Sequence, residues 1–384
     1  MKTLFLSTLL FGSLVSLPSL LDGCPTDDDD DTPDPCGEGT IEIDGLCVAD
    51  LPPGWTQVVP GAPTLCARGG EFSYFVRPGT VNKLVVGFDG GGACWDALTC
   101  SKANPTFTDS VTEDDNPNTM TDGVFDDTNP DNPFKDWFAI FIPYCTGDIH
   151  WGDATTHYEA SNGFPPVTIQ HRGYINGTTA LDWVYDHFEA PERIFVTGVS
   201  AGSYGTMLYT PYLQEHYADS EVVQLGDSGA GVITQEWLEQ SFASWNAQTN
   251  FPAWIPEIQQ ADITTLTMND IYIQVGRYYP QTVLSQFNTA SDDVQEFYFE
   301  AMGGNTSDWG TGLDANIAAC SENTPGFRYY TSWGSSHGII PYDEMYTTQV
   351  NGVRFRDWLA GLVDGGEVQD VHCTDCSTPE YYQP

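Results

Sequence analysis

Ile194-Phe195-Val196-Thr197-Gly198-Val199-Ser200-Ala201-Gly202 is the stretch on which the fold turns. An apolar strand runs into Gly-x-Ser-x-Gly, and a helical run through Met207 and Leu208 follows. The glycines permit a sharp strand-to-helix turn. Ser200 is then lifted above the edge of a sheet, with the amides of a helix N-terminus behind it. Small residues also make ordinary turns, so the motif alone is weak. The strand before it and the helix after it make Ser200 a candidate nucleophile.

Similar strands lie on either side. Residues 71–77 and 83–88 precede the motif, and 137–144 (WFAIFIPY) is an almost unbroken apolar run, as a buried central strand requires. Residues 221–225, 282–287 and 327–331 follow it. Leu181, Val184, Tyr185 and Phe188 share one helical face, as do Phe355, Trp358, Leu359, Leu362 and Val363. Alternation of strands and helices implies an α/β domain with a mostly parallel sheet over residues 51–384. Residues 101–136, acidic and rich in Asn, Pro and Thr, read as a surface insertion. Residues 233–280 hold Trp237, Trp245 and Trp254 without a clear strand and read as a cap over the sheet.

The chain has 384 residues, with 12 Lys and Arg against 54 Asp and Glu, a net charge of −42. That excludes a nucleic-acid binder working by phosphate neutralisation, and it argues against docking on anionic lipid. A hydrophobic content of 40%, with 13% aromatics, is enough for a real core, so the charge belongs to a solvated surface. Ten cysteines suit an oxidising compartment. Met1-Lys2 and the apolar residues 4–21, broken by Ser7, Thr8, Ser13, Ser16 and Pro18, read as a secretory leader covering 1–23. Leu21-Asp22-Gly23-Cys24 resembles a bacterial lipobox, with Cys24 the lipidated residue and a lipid anchor to the membrane as the consequence. Asp22 fits that motif poorly, and ordinary cleavage nearby is the alternative. The tether that follows carries the aspartates 27–31 and cannot build a core. An extracytoplasmic monomer is expected. Cys36 to Cys47 forms a small loop that suits a local disulfide, so 24–50 reads as acidic linker plus clip.

A nucleophilic serine needs a base, an acid to orient that base, and amide donors for the developing oxyanion. Phe88-Asp89-Gly90-Gly91-Gly92-Ala93-Cys94 directly follows a strand, and its glycines let backbone amides approach a substrate. His337, after the strand 327–331, stands where the chain order Ser…acid…His puts the base. His150, His157, His171, His187 and His216 come too early, and His372 sits beside two tail cysteines. Asp292, after the strand 282–287, is the candidate acid, and Asp227, one strand earlier, is the runner-up. Gly226-Asp227-Ser228-Gly229 also looks like the serine segment of trypsin-like proteases, but the Ala-Ala-His-Cys-like stretch those need is missing.

In order along the chain, these motifs resemble the pectin acetylesterase and Notum family of α/β hydrolases. The matching segments are Asp89-Gly90-Gly91-Gly92-Ala93-Cys94 with Cys100, Ile142-Pro143-Tyr144-Cys145, Gly198 to Ser203, Gly226-Asp227-Ser228-Gly229, Asp292-Asp293-Val294-Gln295, and Ser336-His337 followed by Gln349-Val350-Asn351-Gly352. The resemblance implies an α/β-hydrolase fold with helices on both faces of the sheet and a triad of Ser200, Asp292 and His337. It implies oxyanion donation by the backbone of Gly90, Gly91 and Ala201, and disulfides Cys66–Cys145 and Cys94–Cys100. It also implies a serine carboxylesterase that needs neither metal nor organic cofactor. Its ester would be an acetyl group on a polysaccharide, since members cleave acetyl esters of pectin or a fatty acyl group on a signalling protein. Ala93 stands where the family has a bulky Trp, and Ser203 where it has Gly. Both lie near the expected substrate mouth.

With Cys24 lipidated, those pairs leave Cys320, Cys373 and Cys376, and Cys320 is expected to pair with one tail cysteine. His372-Cys373-x-x-Cys376 lacks the fourth ligand of a zinc site. Two other readings compete with the esterase. One is a hydrolase-fold binding module without turnover. The other is a calcium-dependent surface protein built on Asp127, Asn129 and Asp131, which have oxygen-ligand spacing but lack the glycine and distal Glu of an EF-hand loop.

The charge excess is repulsive in the compact state, and the Debye length falls from ~10 Å at 0.1 M salt to ~3 Å at 1 M. The melting temperature is therefore expected to rise between those NaCl concentrations. A flat or falling value in differential scanning calorimetry would contradict a salt-adapted surface.

Overall fold

The apolar runs lie side by side in one sheet. Its strands are Thr56–Val58 (β1), Tyr74–Arg77 (β2), Val81–Phe88 (β3), Trp137–Ile142 (β4), Arg193–Val199 (β5), Glu221–Asp227 (β6), Val283–Thr289 (β7), Arg328–Ser332 (β8) and Val371–His372 (β9). Across the sheet they run β9-β8-β7-β6-β5-β3-β4-β2-β1. β1–β2 and β2–β4 pair antiparallel. Every other neighbouring pair is parallel. This computed structural model describes residues 36–382, apart from 121 and 162. The leader 1–23, Cys24 and the aspartate tether lie outside the described residues. No helix among the described residues is long and apolar enough to cross a membrane.

The helices that cover the sheet or carry the site are Gly173–His187 (α1), Ala201–His216 (α2), Gln235–Trp245 (α3), Met268–Tyr278 (α4), Asp293–Ala301 (α5), Trp309–Asn323 (α6) and Phe355–Val363 (α7). Successive strand residues point to opposite faces. Leu84, Val86, Ile140, Ile142, Ile194 and Val196 therefore join one core with Leu181, Val184 and Leu208 of α1 and α2. Val85, Ala139, Phe195, Val223 and Leu225 join a second core with Phe355, Trp358, Leu359 and Leu362 of α7. Each such side chain withdrawn from water contributes about 1.5–3 kcal/mol. The two-sided core explains why the central strands read as continuous apolar runs.

Two expected segments are more integrated than their composition suggests. Within 101–136, Val124 and Phe134 are fully buried, and Phe134 stacks on Phe195 at 4.5 Å between ring centroids. Within 233–280, α3 carries Trp237 to the cavity beside Ser200. Ile271, Tyr272 and Val275 of α4 instead pack into the first core with Leu284.

The cysteines are joined as Cys36–Cys47, Cys66–Cys145, Cys94–Cys100 and Cys373–Cys376. The expected pairing of Cys320 with the tail does not form. Cys320 lies on α6, a helix packed beside α4, and is a buried free thiol. The tail cysteines instead close a turn at the sheet edge, after β9 pairs with β8. Burial pushes the Cys320 thiol up to about 12, which leaves it unreactive. His372 lies close to Cys373 and Cys376, but sulfurs joined to each other are not thiolate ligands. Of the calcium-type spacing, Asp127 and Asp131 face Arg77 and Arg354 at 3.9 and 2.9 Å.

α1 and α2 approach closely at Gly177, where an added Cβ would lie 2.2 Å from the hydroxyl of Tyr209. Tyr209 is fully buried, stacks on Phe88 and donates to the carbonyls of His150 and Gly173. Ala gains about 1 kcal/mol of helix propensity over Gly. Overpacking costs about 1–3 kcal/mol and would also break the hydroxyl's bonds. Gly177→Ala is therefore expected to lower the melting temperature. An unchanged or raised value would show that Tyr209 yields freely.

Candidate active site

β5 ends at Val199 and α2 begins at Ala201, so Ser200 alone makes the turn. Its backbone has φ 57° and ψ −120°. A non-glycine residue held there costs about 1–3 kcal/mol and persists only where its surroundings enforce it. The enforcement comes from backbone contact. A Cβ on Gly198 would lie 2.5 Å from the carbonyl oxygen of Gly202, and one on Gly202 would lie 2.1 Å from that of Phe88. The Ser200 amide also donates to the carbonyl of Asp227 at 2.8 Å, tying the turn to the end of β6.

His337 lies in the loop after β8. Its Nδ1 stands 2.9 Å from both carboxylate oxygens of Asp292. Asp292 is fully buried and caps α5, accepting from the amides of Val294 and Gln295 at 3.1 and 2.9 Å. The side-chain amide of Gln295 donates to Asp292 at 3.0 Å and to Asn288 at 3.1 Å, while its oxygen accepts from the Ala230 amide at 2.8 Å. The remaining ring nitrogen of His337, Nε2, is buried and has no hydrogen-bond partner among the described residues.

Asp227 takes a different position. One carboxylate oxygen accepts from the amides of Ile339 and Ile340 at 2.7 and 2.8 Å, and the other accepts from the Ser228 hydroxyl at 3.1 Å. The Ser228 hydroxyl in turn accepts from the amide of Gly338. Asp227 thus holds the backbone of the His337 loop, whereas Asp292 holds the ring. Burial pushes the Asp227 carboxyl up to about 6, against the downward pull of the two amides.

The three expected oxyanion donors differ. Ala201 is the first residue of α2, where amides lack intrahelical acceptors. Gly91 belongs to a strained turn with φ 143°. The Gly90 amide is already engaged, donating to the Asp89 carboxylate at 2.8 Å. Burial and the charge of Asp115 push the Asp89 carboxyl up to about 7. Burial holds His150 down at about 4, so it is neutral at pH 7, and its Nε2 lies 2.9 Å from the Asp89 carbonyl oxygen.

Two cavities flank His337. One, about 50 Å³, is shared with Ser200 and Ala201 and walled by Ile149, Val232, Ile233, Trp237 and Met302. The other, about 410 Å³, is more polar and is bordered by Trp333, Tyr342, Glu344 and Tyr381. Trp237 and Met302 were not legible as site residues, nor was Tyr298, which also lines the smaller cavity. Gln295 carried a signal, since Asp followed three residues later by Gln is a capping-box pattern.

The pectinacetylesterase family model matches residues 57–289, more than half of the chain. The chain belongs to the pectinacetylesterase family. Membership places it among the ester hydrolases. Two crystal forms of the Wnt deacylase Notum from Drosophila share the α/β-hydrolase fold, with TM-scores of 0.59 and 0.58 at 15% identity. The alignments cover 82% and 83% of this chain and 95% and 97% of the Notum chains. No curated protein sequence gave a significant match. The family match ends at residue 289, so Asp292, His337 and most of the lining of the larger cavity lie beyond it.

The two aspartates separate by experiment. Asn can still cap α5 but cannot hold an imidazolium, so Asp292→Asn should cut kcat by about 10²–10⁴-fold with the melting temperature nearly unchanged. Asp227→Ala leaves the Ile339 and Ile340 amides without an acceptor, at about 1–3 kcal/mol each, and should mainly lower the melting temperature. Steady-state kinetics and thermal melts on both variants check this. Wild-type kcat in Asp292→Asn would refute a catalytic role for the Asp292–His337 pair.

Proposed function

We propose that this protein is an extracytoplasmic serine carboxylesterase that removes an acetyl group from a carbohydrate. The carrying observation is the ring of His337, with one nitrogen on the Asp292 carboxylate and the other unpartnered beside the cavity that holds Ser200. A base needs its ring held in one tautomer and a second nitrogen ready for a proton.

Ser200 Oγ attacks the ester carbonyl and gives its proton to His337 Nε2, and Asp292 stabilises the imidazolium. The amides of Ala201 and Gly91 hold the oxyanion, while Gly90, bonded to Asp89, shapes the turn. The carbon–oxygen bond to the alcohol then breaks, and the alcohol takes the proton from His337. Water attacks the acyl-serine, its proton passing through His337 back to Ser200 Oγ, and the carboxylic acid leaves.

The small cavity supports a short acyl group. A cavity of about 150 Å³ takes up one benzene, so one a third of that size suits two or three carbons. The larger cavity supports a sugar as the alcohol, since Tyr342 and Tyr381 are 48% and 52% exposed and offer apolar ring faces beside polar groups. The four disulfides support an oxidising compartment. A lipid anchor at Cys24 belongs to the same proposal and is tested by globomycin sensitivity of processing.

Ser200→Ala is expected to fold normally and to lose at least about 10³-fold in p-nitrophenyl acetate turnover. A fluorophosphonate probe should label the wild type and not the variant. Activity within tenfold of wild type, or an unlabelled wild type, would overturn the esterase reading in favour of a binding module.

A further inference from the structure

Behind the small cavity lies a third one, about 290 Å³, which touches neither Ser200 nor His337. The two cavities share Val232 and Ile233. These residues lie in a segment without regular structure between β6 and α3. The segment is held at both ends. The Ala230 carbonyl accepts from Asn316 at 3.1 Å, and the Thr234 hydroxyl caps α3 and donates to the Met302 carbonyl at 2.8 Å. Val232 is seated against α6, where a Cβ on Gly312 would lie 2.8 Å from its Cγ1. The far side of the third cavity includes the apolar residues Leu238, Leu266 and Phe299.

We infer that Val232 and Ile233 form a partition that sets the acyl chain length, and that they separate the acyl site from the cavity behind it, which opens to solvent past the exposed Gln235, Thr267 and Asp308. This rests on the esterase reading above. The acyl carbon must bond to Ser200 Oγ, so the acyl chain occupies the cavity that Ser200 lines. That cavity ends on Val232 and Ile233, and a longer chain meets their side chains. With the partition removed the combined space has room for more than the eight carbons of an octanoyl chain, on the scale of about 150 Å³ for the six carbons of one benzene.

The test compares kcat/KM for p-nitrophenyl acetate, butanoate and octanoate in the wild type and in Val232→Ala/Ile233→Ala. One methylene in an apolar pocket is worth about 10–200-fold, so the wild type should prefer acetate to octanoate by at least about 100-fold. The double variant should raise the octanoate-to-acetate ratio by about tenfold or more. A smaller rise in a folded variant, or a wild type that takes octanoate as well as acetate, overturns the inference. Should the double variant fail to fold, Ile233→Val is the second arm. It should raise the butanoate-to-acetate ratio by about threefold or more, and an unchanged ratio counts against the partition. A wild type without acetate turnover would remove the esterase reading and this inference together. Unchanged selectivity in an active enzyme removes the inference alone.

Discussion

The serine side of the site depends on how closely three backbone segments meet at Ser200. β3 ends beside the first turn of α2, and no side chain fits between the Phe88 carbonyl and Gly202. That contact holds Ser200 in a backbone conformation it would not adopt in a free chain. It also brings the glycine turn after β3 beside the serine, since a Cβ on Gly90 would lie 2.8 Å from the Val199 carbonyl oxygen. Ser200 and the glycine turn are therefore positioned by one constraint, which is backbone proximity at the C-terminal edge of a parallel sheet.

His337 is positioned by a separate network of buried hydrogen bonds. Asp227 and Ser228 hold the amides of residues 338–340. Asp292 and Gln295 hold the ring and link it to Ala230. The Thr289 hydroxyl donates to the carbonyl of Ser336, which fixes the residue before His337 to the end of β7. Buried networks of this kind are rigid when every member is satisfied. In this one the Nε2 of His337 has no partner among the described residues, and it is the atom that the proposed chemistry requires.

A net charge of −42 leaves few cations, and several of them serve inward tasks. Arg77 is buried, lies over Trp55 and donates to the Phe125 carbonyl within the acidic insertion. Arg354 pairs with Asp131 of the same insertion, and Arg193 with Glu221 where β5 and β6 begin. The cations thus join acidic loops to the core, while most of the remaining carboxylates stay in water. Such exposed like charges oppose compactness, and screening relieves them.

The sequence alone determined the sheet, because two-sided burial demands uninterrupted apolar strands such as 137–142, and the nucleophile turn, because Gly-x-Ser-x-Gly after a strand has few other uses. Chain order also pointed to Asp292 and His337. The flanking strands β1 and β9, of three and two residues, are too short to show a period. Only the tertiary structure decided which aspartate faces the imidazole, since both follow a strand and differ only in what lies opposite them. It likewise decided that Cys320 stays free and that Asp89 takes up the Gly90 amide. Ile149, Trp237 and Met302 reach the cavity from separate parts of the chain. A pocket wall is a meeting of surfaces distant in sequence, and no local pattern of residues records it.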